Sequence, residues 1–294
     1  MRIRTLAVVG TGLIGTSVAL AASGRGVCVY LADRDESAVR TAAVLGAGRP
    51  GPPPHPVDLA VLAVPPSQIA PVLAREQARG LALSYTDVAS VKVRPQREIL
   101  AGAPDPAAYV GGHPMAGRER SGPLAARAEL FQGRPWVLTP TRLTTKPAFD
   151  RALGLVALCG AVPRVMRARA HDDAVALTSH APHLLASLMA ARLSEGPVAA
   201  ARLAGQGLRD VTRIARGDSR LWGDIVESNA AAVAGVLTRL QEELAAVLAA
   251  LSDLAEPNGG LAPEARGKSR HTLVDLLERG IAGVGELGDE RAVP

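Results

Sequence analysis

Leu6-Ala7-Val8-Val9-Gly10-Thr11-Gly12-Leu13-Ile14-Gly15-Thr16, with the later run Val27-Cys28-Val29-Tyr30-Leu31-Ala32-Asp33, is the stretch that decides the fold. An apolar, β-branched segment over residues 3–9 predicts a strand, and Thr16 to Ser23, rich in Ala and Leu, predicts a helix. Between them Gly10 permits a tight turn, Gly12 lets backbone approach a phosphate without a side chain, and Gly15 lets helix and strand pack closely. The helix entered through Leu13 and Ile14 would offer free N–H groups and the positive end of its dipole to a pyrophosphate. The second strand, residues 27–32, runs into Asp33, eighteen residues after Gly15. An acidic side chain there accepts hydrogen bonds from ribose hydroxyls and repels a 2′-phosphate, which favours NAD as cofactor. Arg34 follows directly, and an arginine can pair with that phosphate, so NADP stays the alternative.

Outward from this unit, strands and helices alternate through the first 140 residues, as in a parallel sheet with crossover helices. Gly46 to Pro56, with five prolines and three glycines, predicts a loop. Residues 58–64 read as a buried strand stopped by Pro65-Pro66, and Val64 and Pro65 at its end are assigned to the cofactor site. Strands are further expected at 81–87, 108–112 and 134–140, the last closing the series. From about Ala168 Gly and Pro thin out and helical spacing of Ala, Leu and Val takes over, with long helices expected between Leu221 and Leu254. The fold class is therefore α/β, a Rossmann-type doubly wound sheet over residues 1–167 followed by an all-α substrate and dimerisation domain over 168–294. Ala-rich helices bury modest area per residue, which points to a homodimer through the helical domain. Beyond Pro257-Asn258-Gly259-Gly260 the chain reads as loop-rich, with no further folded module, no separate regulatory domain and no internal repeat.

Composition narrows the class. With 294 residues, 48% hydrophobic and 21% charged, the chain suits a two-domain globular protein, and no apolar run approaches the roughly 20 residues of a bilayer span. The start Met1-Arg2-Ile3-Arg4 before an apolar stretch resembles a short signal peptide, but the glycine loop interrupts it at once. A strand of a cytoplasmic protein is the expectation. Cys28 and Cys159 lie in apolar segments and read as buried free thiols. The 33 Lys and Arg against 28 Asp and Glu form no dense block, and two Trp, three Tyr and two Phe offer few stacking platforms, so nucleic acid is not an expected partner.

Three clusters carry polar groups at strand ends or in the helical part: Thr86-Asp87-Val88-Ala89-Ser90-Val91-Lys92, Gly111-Gly112-His113-Pro114-Met115-Ala116-Gly117-Arg118-Glu119, and Ser179-His180-Ala181-Pro182-His183 with Gly207 to Asp218. The first two follow predicted strands, where open parallel sheets bind ligands. His113 has the neutral-range chemistry to take a hydroxyl proton during an oxidation. Arg209 and Arg213, four apart, put two guanidinium groups on one helical face, suited to carboxylates or else to pairing with Asp210 and Asp218. His171-Asp172-Asp173 with His180 and His183 has the residue types of a metal site; hydride transfer to NAD needs no metal, the aspartates are expected to cap the helix starting there, and no metal is expected.

Taken in order, Gly10 to Gly15, Asp87 to Lys92, His113 to Gly122, Ser179 to His183 and Arg209 to Trp222 resemble the prephenate dehydrogenase family, the prephenate and arogenate dehydrogenases of tyrosine biosynthesis. The resemblance implies oxidative decarboxylation of a cyclohexadienol dianion, with hydride passing to NAD. It implies His113 as the catalytic histidine, Ser90 as the serine holding that histidine or the substrate hydroxyl, and Lys92 supporting the substrate loop. It further implies Arg213 as the clamp on a substrate carboxylate with Arg209 as a second cation, Glu119 near the mouth, and one of His180 and His183 facing the substrate side chain. Prephenate is favoured over arogenate because the motifs offer cations more clearly than an extra anion. A hydroxyacid dehydrogenase or imino-acid reductase on the same architecture, and a nucleotide-sensing protein without turnover, remain the other readings.

Overall fold

The structure is a computed structural model that describes residues 2–117, 120–196, 202–255 and 262–286. Its centre is one eight-stranded sheet, formed by β1 (Thr5–Val9), β2 (Cys28–Ala32), β3 (Arg49–Pro50), β4 (Leu59–Leu62), β5 (Tyr85–Asp87), β6 (Tyr109–Pro114), β7 (Pro135–Thr139) and β8 (Val162–Val165). The order is β3-β2-β1-β4-β5-β6-β7-β8; the first six are mutually parallel, β7 runs antiparallel to β6, and β8 is parallel to β7. The order 3-2-1-4-5-6 is that of a dinucleotide-binding sheet, whose ligand crevice opens at the carboxyl ends beside the β1/β4 switch.

Each strand alternates between two cores. Leu6 and Val8 of β1 pack with Val18 and Ala22 of α1 (Leu13–Ser23), Ala42 of α2 (Glu36–Val44) and Leu155 of α5 (Lys146–Leu158). Ala7 and Val9 face the other way, onto Leu62 and onto Ile69 and Leu73 of α3 (Ile69–Ala78). α4 (Val93–Gly102) adds Ile99 to that second core.

Two expectations are corrected here. The sheet does not close at residue 140, since β8 extends it; Val162-Pro163-Arg164-Val165 is exposed throughout and carries a proline, which an edge strand with one neighbour tolerates. Nor is the stretch after Gly260 loop-rich, because Pro263–Gly285 forms a 23-residue helix. Its glycines suggested loops, yet Pro263 in the first turn and the Asp275–Arg279 pair at 3.2 Å support a helix.

The helical part comprises α6 (Ala168–Val175), a π-helical turn Ala176–His180, α7 (Ala181–Glu195), α8 (Gln206–Thr212), α9 (Ser219–Ser228), α10 (Ala230–Ala255) and α11 (Pro263–Gly285). Against the expectation that no apolar run approaches a bilayer span, Ala168–Glu195 is, by length and composition alone, long and apolar enough to cross one. It nonetheless places His171, Asp172, His180 and His183 in the protein interior. The chain divides into two compact units between Val233 and Ala234, so α6 to α9 belong with the sheet although the composition changes at 168. Side-chain ties explain this: the Ser67 N–H donates to Asp224 on α9 at 3.1 Å, and Arg94 on α4 pairs with Glu227 at 3.1 Å. Within the second unit α10 and α11 are joined by Arg279–Glu243 at 3.0 Å and by the Ser269 hydroxyl donating to Asp253 at 2.7 Å, an antiparallel pairing.

Candidate active site

At the end of β1 the chain turns at Gly10, whose φ of +104° disfavours a side chain and where a Cβ would lie 2.2 Å from the Ala63 carbonyl oxygen. A Cβ on Gly15 would sit 1.9 Å from the Gly10 carbonyl oxygen, so the helix can approach the turn this closely only without one. Gly12 differs: a Cβ there would meet nothing within 4 Å. It opens a free face at the N-terminus of α1, which no side chain caps, and its first-turn N–H groups are left for an anion. Asp33 sits just past β2, its carboxylate accepting the Thr11 N–H at 2.6 Å and hydroxyl at 3.2 Å, and the Asp35 N–H at 3.0 Å. Arg34 beside it is exposed, while Leu13, Ile14, Val64 and Pro65 are half-buried along the crevice. Open glycine face, uncapped helix start and acidic strand end together fit a dinucleotide.

Farther along the same sheet edge, β5 and β6 carry the second group of residues. The Lys92 ammonium is fully buried against the Asp87 carboxylate and the Gly112 carbonyl, and Tyr109 donates its hydroxyl to the other Asp87 oxygen. An ammonium sealed in this way does not meet a substrate, which corrects the expected role of Lys92: it ties the ends of β5 and β6 together. Ser90, half-buried on the loop between β5 and α4, has no hydrogen-bond partner among the described residues, leaving its hydroxyl for a ligand.

His113, on β6, keeps an accessible edge while its Nδ1 lies 2.8 Å from Nε2 of His171 on α6. Nδ1 of His171 lies 2.7 Å from an oxygen of Asp172. That carboxylate also accepts the N–H groups of Lys92 and Val93, both at 2.8 Å. The two aspartates thus depart from expectation: Asp172 caps α4, a helix 80 residues away in sequence, and Asp173 pairs with Arg169 at 3.0 Å. Burial, followed by His171, Lys92 and His180, holds the His113 pKa well below the usual histidine value, so its ring is neutral at physiological pH.

The remaining polar groups come from the π turn, α7 and α9. The Asn229 amide donates to the Asp172 carbonyl at 2.8 Å and lies 3.2 Å from His180 Nδ1. Accepting there leaves His180 with its proton on Nε2, a buried donor without a partner among the described residues. Burial lowers its pKa to about 4. His183 stacks on Trp222 with ring centroids 3.5 Å apart, and its Nδ1 is likewise buried and unpartnered among the described residues. Arg209 and Arg213 are exposed on and just after α8, Asp218 caps α9, and Asp210 accepts from the Gln206 amide at 2.8 Å. Glu119 lies outside the described residues.

Sequence reading singled out His113, Ser90, His180 and His183 but gave His171, Asp172 and Asn229 no role at the site. Their signal is weak locally, because each reads as an ordinary capping or helix-face residue until the helices are folded onto β5 and β6. The described residues hold no cluster of three or more His, Cys, Asp or Glu arranged to bind a metal ion.

Known proteins are similar to this chain in sequence and in fold. Residues 16–165 match the family model for the nucleotide-binding domain of prephenate dehydrogenase, and residues 167–258 match that for its dimerization domain. A probable prephenate dehydrogenase, NovF, of Streptomyces niveus is 45% identical over 293 residues, covering 99% of this chain and 79% of its own. The cyclohexadienyl dehydrogenase of Zymomonas mobilis is 32% identical over 257 residues, covering 81% of this chain and 85% of its own. In fold, the chain is similar to the crystal structure of prephenate dehydrogenase from A. aeolicus in complex with hydroxyphenyl propionate and NAD+, at a TM-score of 0.84 and 23% identity over 98% of this chain and 99% of that one.

Proposed function

This chain belongs to the prephenate dehydrogenase family, and from that premise we propose that it oxidatively decarboxylates prephenate to 4-hydroxyphenylpyruvate in tyrosine biosynthesis, with NAD as cofactor. The observation that carries the reading is a neutral histidine, His113, at the carboxyl end of β6 with one ring nitrogen engaged by His171 and the other left to act as a base. Bound NAD supplies the acceptor for the hydride leaving the ring carbon; Gly12, the start of α1 and Asp33 hold its phosphates and adenosine ribose. Leu13, Ile14, Val64 and Pro65 line its path.

His113 takes the proton of the ring hydroxyl as the carbon–hydrogen bond breaks, and Ser90 orients that hydroxyl. The resulting ketone, conjugated to two double bonds, draws in the electrons of the carbon–carboxylate bond, so carbon dioxide leaves and the ring becomes aromatic. The ring oxygen then recovers its proton from His113, and no proton is lost overall. Positioning, one reversible proton transfer and charge complementarity are all the protein must supply. Arg213, with Arg209 as a second cation, meets substrate carboxylate.

Prephenate is favoured over arogenate because the buried His180 N–H suits a keto oxygen, whereas an ammonium would need a carboxylate and that of Asp172 is already committed. The helical part forms a homodimer, and the enzyme works in the cytoplasm on a small dianion. Absorbance of NADH tests the reading: a rise with prephenate and NAD is expected, a larger rise with arogenate would move the substrate, and no rise with either would overturn the activity. Repeating the assay with NADP tests the Asp33 argument against Arg34.

A further inference from the structure

With both histidine rings neutral, one set of protons satisfies the hydrogen bonds that run from β6 to α4. The Asp172 carboxylate, accepting two backbone N–H groups at the start of α4, can only accept from His171 as well, so His171 Nδ1 carries a proton. A neutral His171 then has a bare Nε2, which must accept from His113 Nδ1 at 2.8 Å. His113 is left with a bare Nε2 that has no hydrogen-bond partner among the described residues, as a base requires.

We propose that His171 and Asp172 form a proton relay behind His113, in which the proton taken from the substrate hydroxyl at His113 Nε2 is matched by transfer of the His113 Nδ1 proton to His171 Nε2. The positive charge then rests on His171, 2.7 Å from the Asp172 carboxylate, and leaves the His113 ring neutral. Atoms and charge balance: the substrate O–H bond and the His113 Nδ1–H bond break, and N–H bonds form at His113 Nε2 and His171 Nε2. The sequence reverses when the ring oxygen takes its proton back.

The surroundings favour this placement. His113 faces the buried Lys92 ammonium and the His180 ring, which oppose a positive charge there, whereas His171 is in contact with a carboxylate. Asp172 is fixed from three directions, by the Lys92 and Val93 N–H groups on its side chain and by Asn229 on its carbonyl. His171 and Asp172 are 1% and 2% exposed, so no water competes for the transferred proton. In this role His171 and Asp172 are positioning residues, since neither reaches substrate.

The inference rests on the dehydrogenase reading, and its test separates the two. Nitrogen-15 NMR of histidine-labelled wild-type protein reads tautomers without turnover: His113 and His171 are both expected as Nδ1–H, and an Nε2–H tautomer at His171 would overturn the relay even in an active enzyme. In steady-state kinetics His171→Gln, whose amide oxygen can still accept from His113 but cannot take up its proton, is expected to lower kcat by about 10²-fold. KM for prephenate and the affinity for NAD should stay within about twofold, and the acid limb of kcat against pH should move. His171→Gly with added imidazole should regain part of the lost kcat. Wild-type kcat and pH profile in His171→Gln, or no rescue of His171→Gly, would refute the relay, while an inactive wild type with Nδ1–H tautomers would refute the dehydrogenase reading instead.

Discussion

At the scale of single residues the proposed reaction separates a proton acceptor from charge clamps, and the two kinds should fail differently. His113→Asn removes the acceptor, so kcat should fall by about 10²–10⁴-fold with KM nearly unchanged. Arg213→Ala removes a carboxylate clamp and should chiefly raise KM, by tenfold or more, since a charge-assisted hydrogen bond contributes about 1.5–3 kcal/mol. Steady-state kinetics on both variants decides it, and the reverse pattern would exchange the roles. Buried neutral histidines also make a prediction for stability. The pKa of His180 is about 4 in the folded protein against 6.5 for a free side chain. Between those values the unfolded chain binds a proton that the folded chain does not, so stability is fully present above the unfolded value and is lost as pH falls toward the folded one. Urea midpoints measured from pH 7 to 4.5 should therefore decline, and His180→Asn should decline less steeply; parallel curves would assign the loss elsewhere.

Among elements, the turn between β1 and α1 was legible because its spacing is local: strand, glycines, helix and Asp33 lie within the first 33 residues. The three glycines nonetheless do unequal work. Gly15→Ala places a Cβ against backbone and should abolish or severely weaken folding, whereas Gly12→Ala fills open space in the crevice. Gly12→Ala should melt within about 2 °C of wild type, as surface changes of a few tenths of a kcal/mol do. It should bind NAD at least tenfold more weakly by fluorescence titration, and unchanged affinity would remove Gly12 from the cofactor site. Elements set by distant partners were less legible. β8 exists because Val162 and Met166 donate to Arg134 and Leu138 carbonyls, at 2.8 and 3.1 Å, and its own four residues carry no alternation to announce that. The motif around Asp87 to Lys92 was visible in sequence, but the direction of Lys92 was not, since only the fold brings the Gly112 carbonyl to its ammonium. His171 was hidden for the same reason: its partner on β6 lies 58 residues away.

For the molecule as a whole, the helical part must hide apolar surface that its own packing leaves open. In the unit after Val233, Leu244 and Leu248 on α10 are 57% exposed, and Leu277 and Ile281 on α11 are 66% and 74% exposed. Their spacing, four apart on each helix, gives each one an apolar stripe, and such stripes are rarely left to water on a soluble monomer. In a homodimer an isologous contact buries every such residue twice. Burying a leucine or isoleucine side chain contributes roughly 1.5–3 kcal/mol, so replacing Leu277 and Ile281 by Glu removes four such contributions per dimer and adds charges that would have to be desolvated. The double variant should dissociate at least three orders of magnitude more readily, because about 1.4 kcal/mol corresponds to a tenfold change. Sedimentation equilibrium at micromolar protein should find wild type as a dimer and Leu277→Glu with Ile281→Glu as a monomer that keeps its helical circular dichroism. A wild-type monomer would leave these stripes to some other partner, and a dimer that survives both charges would move the interface to another face.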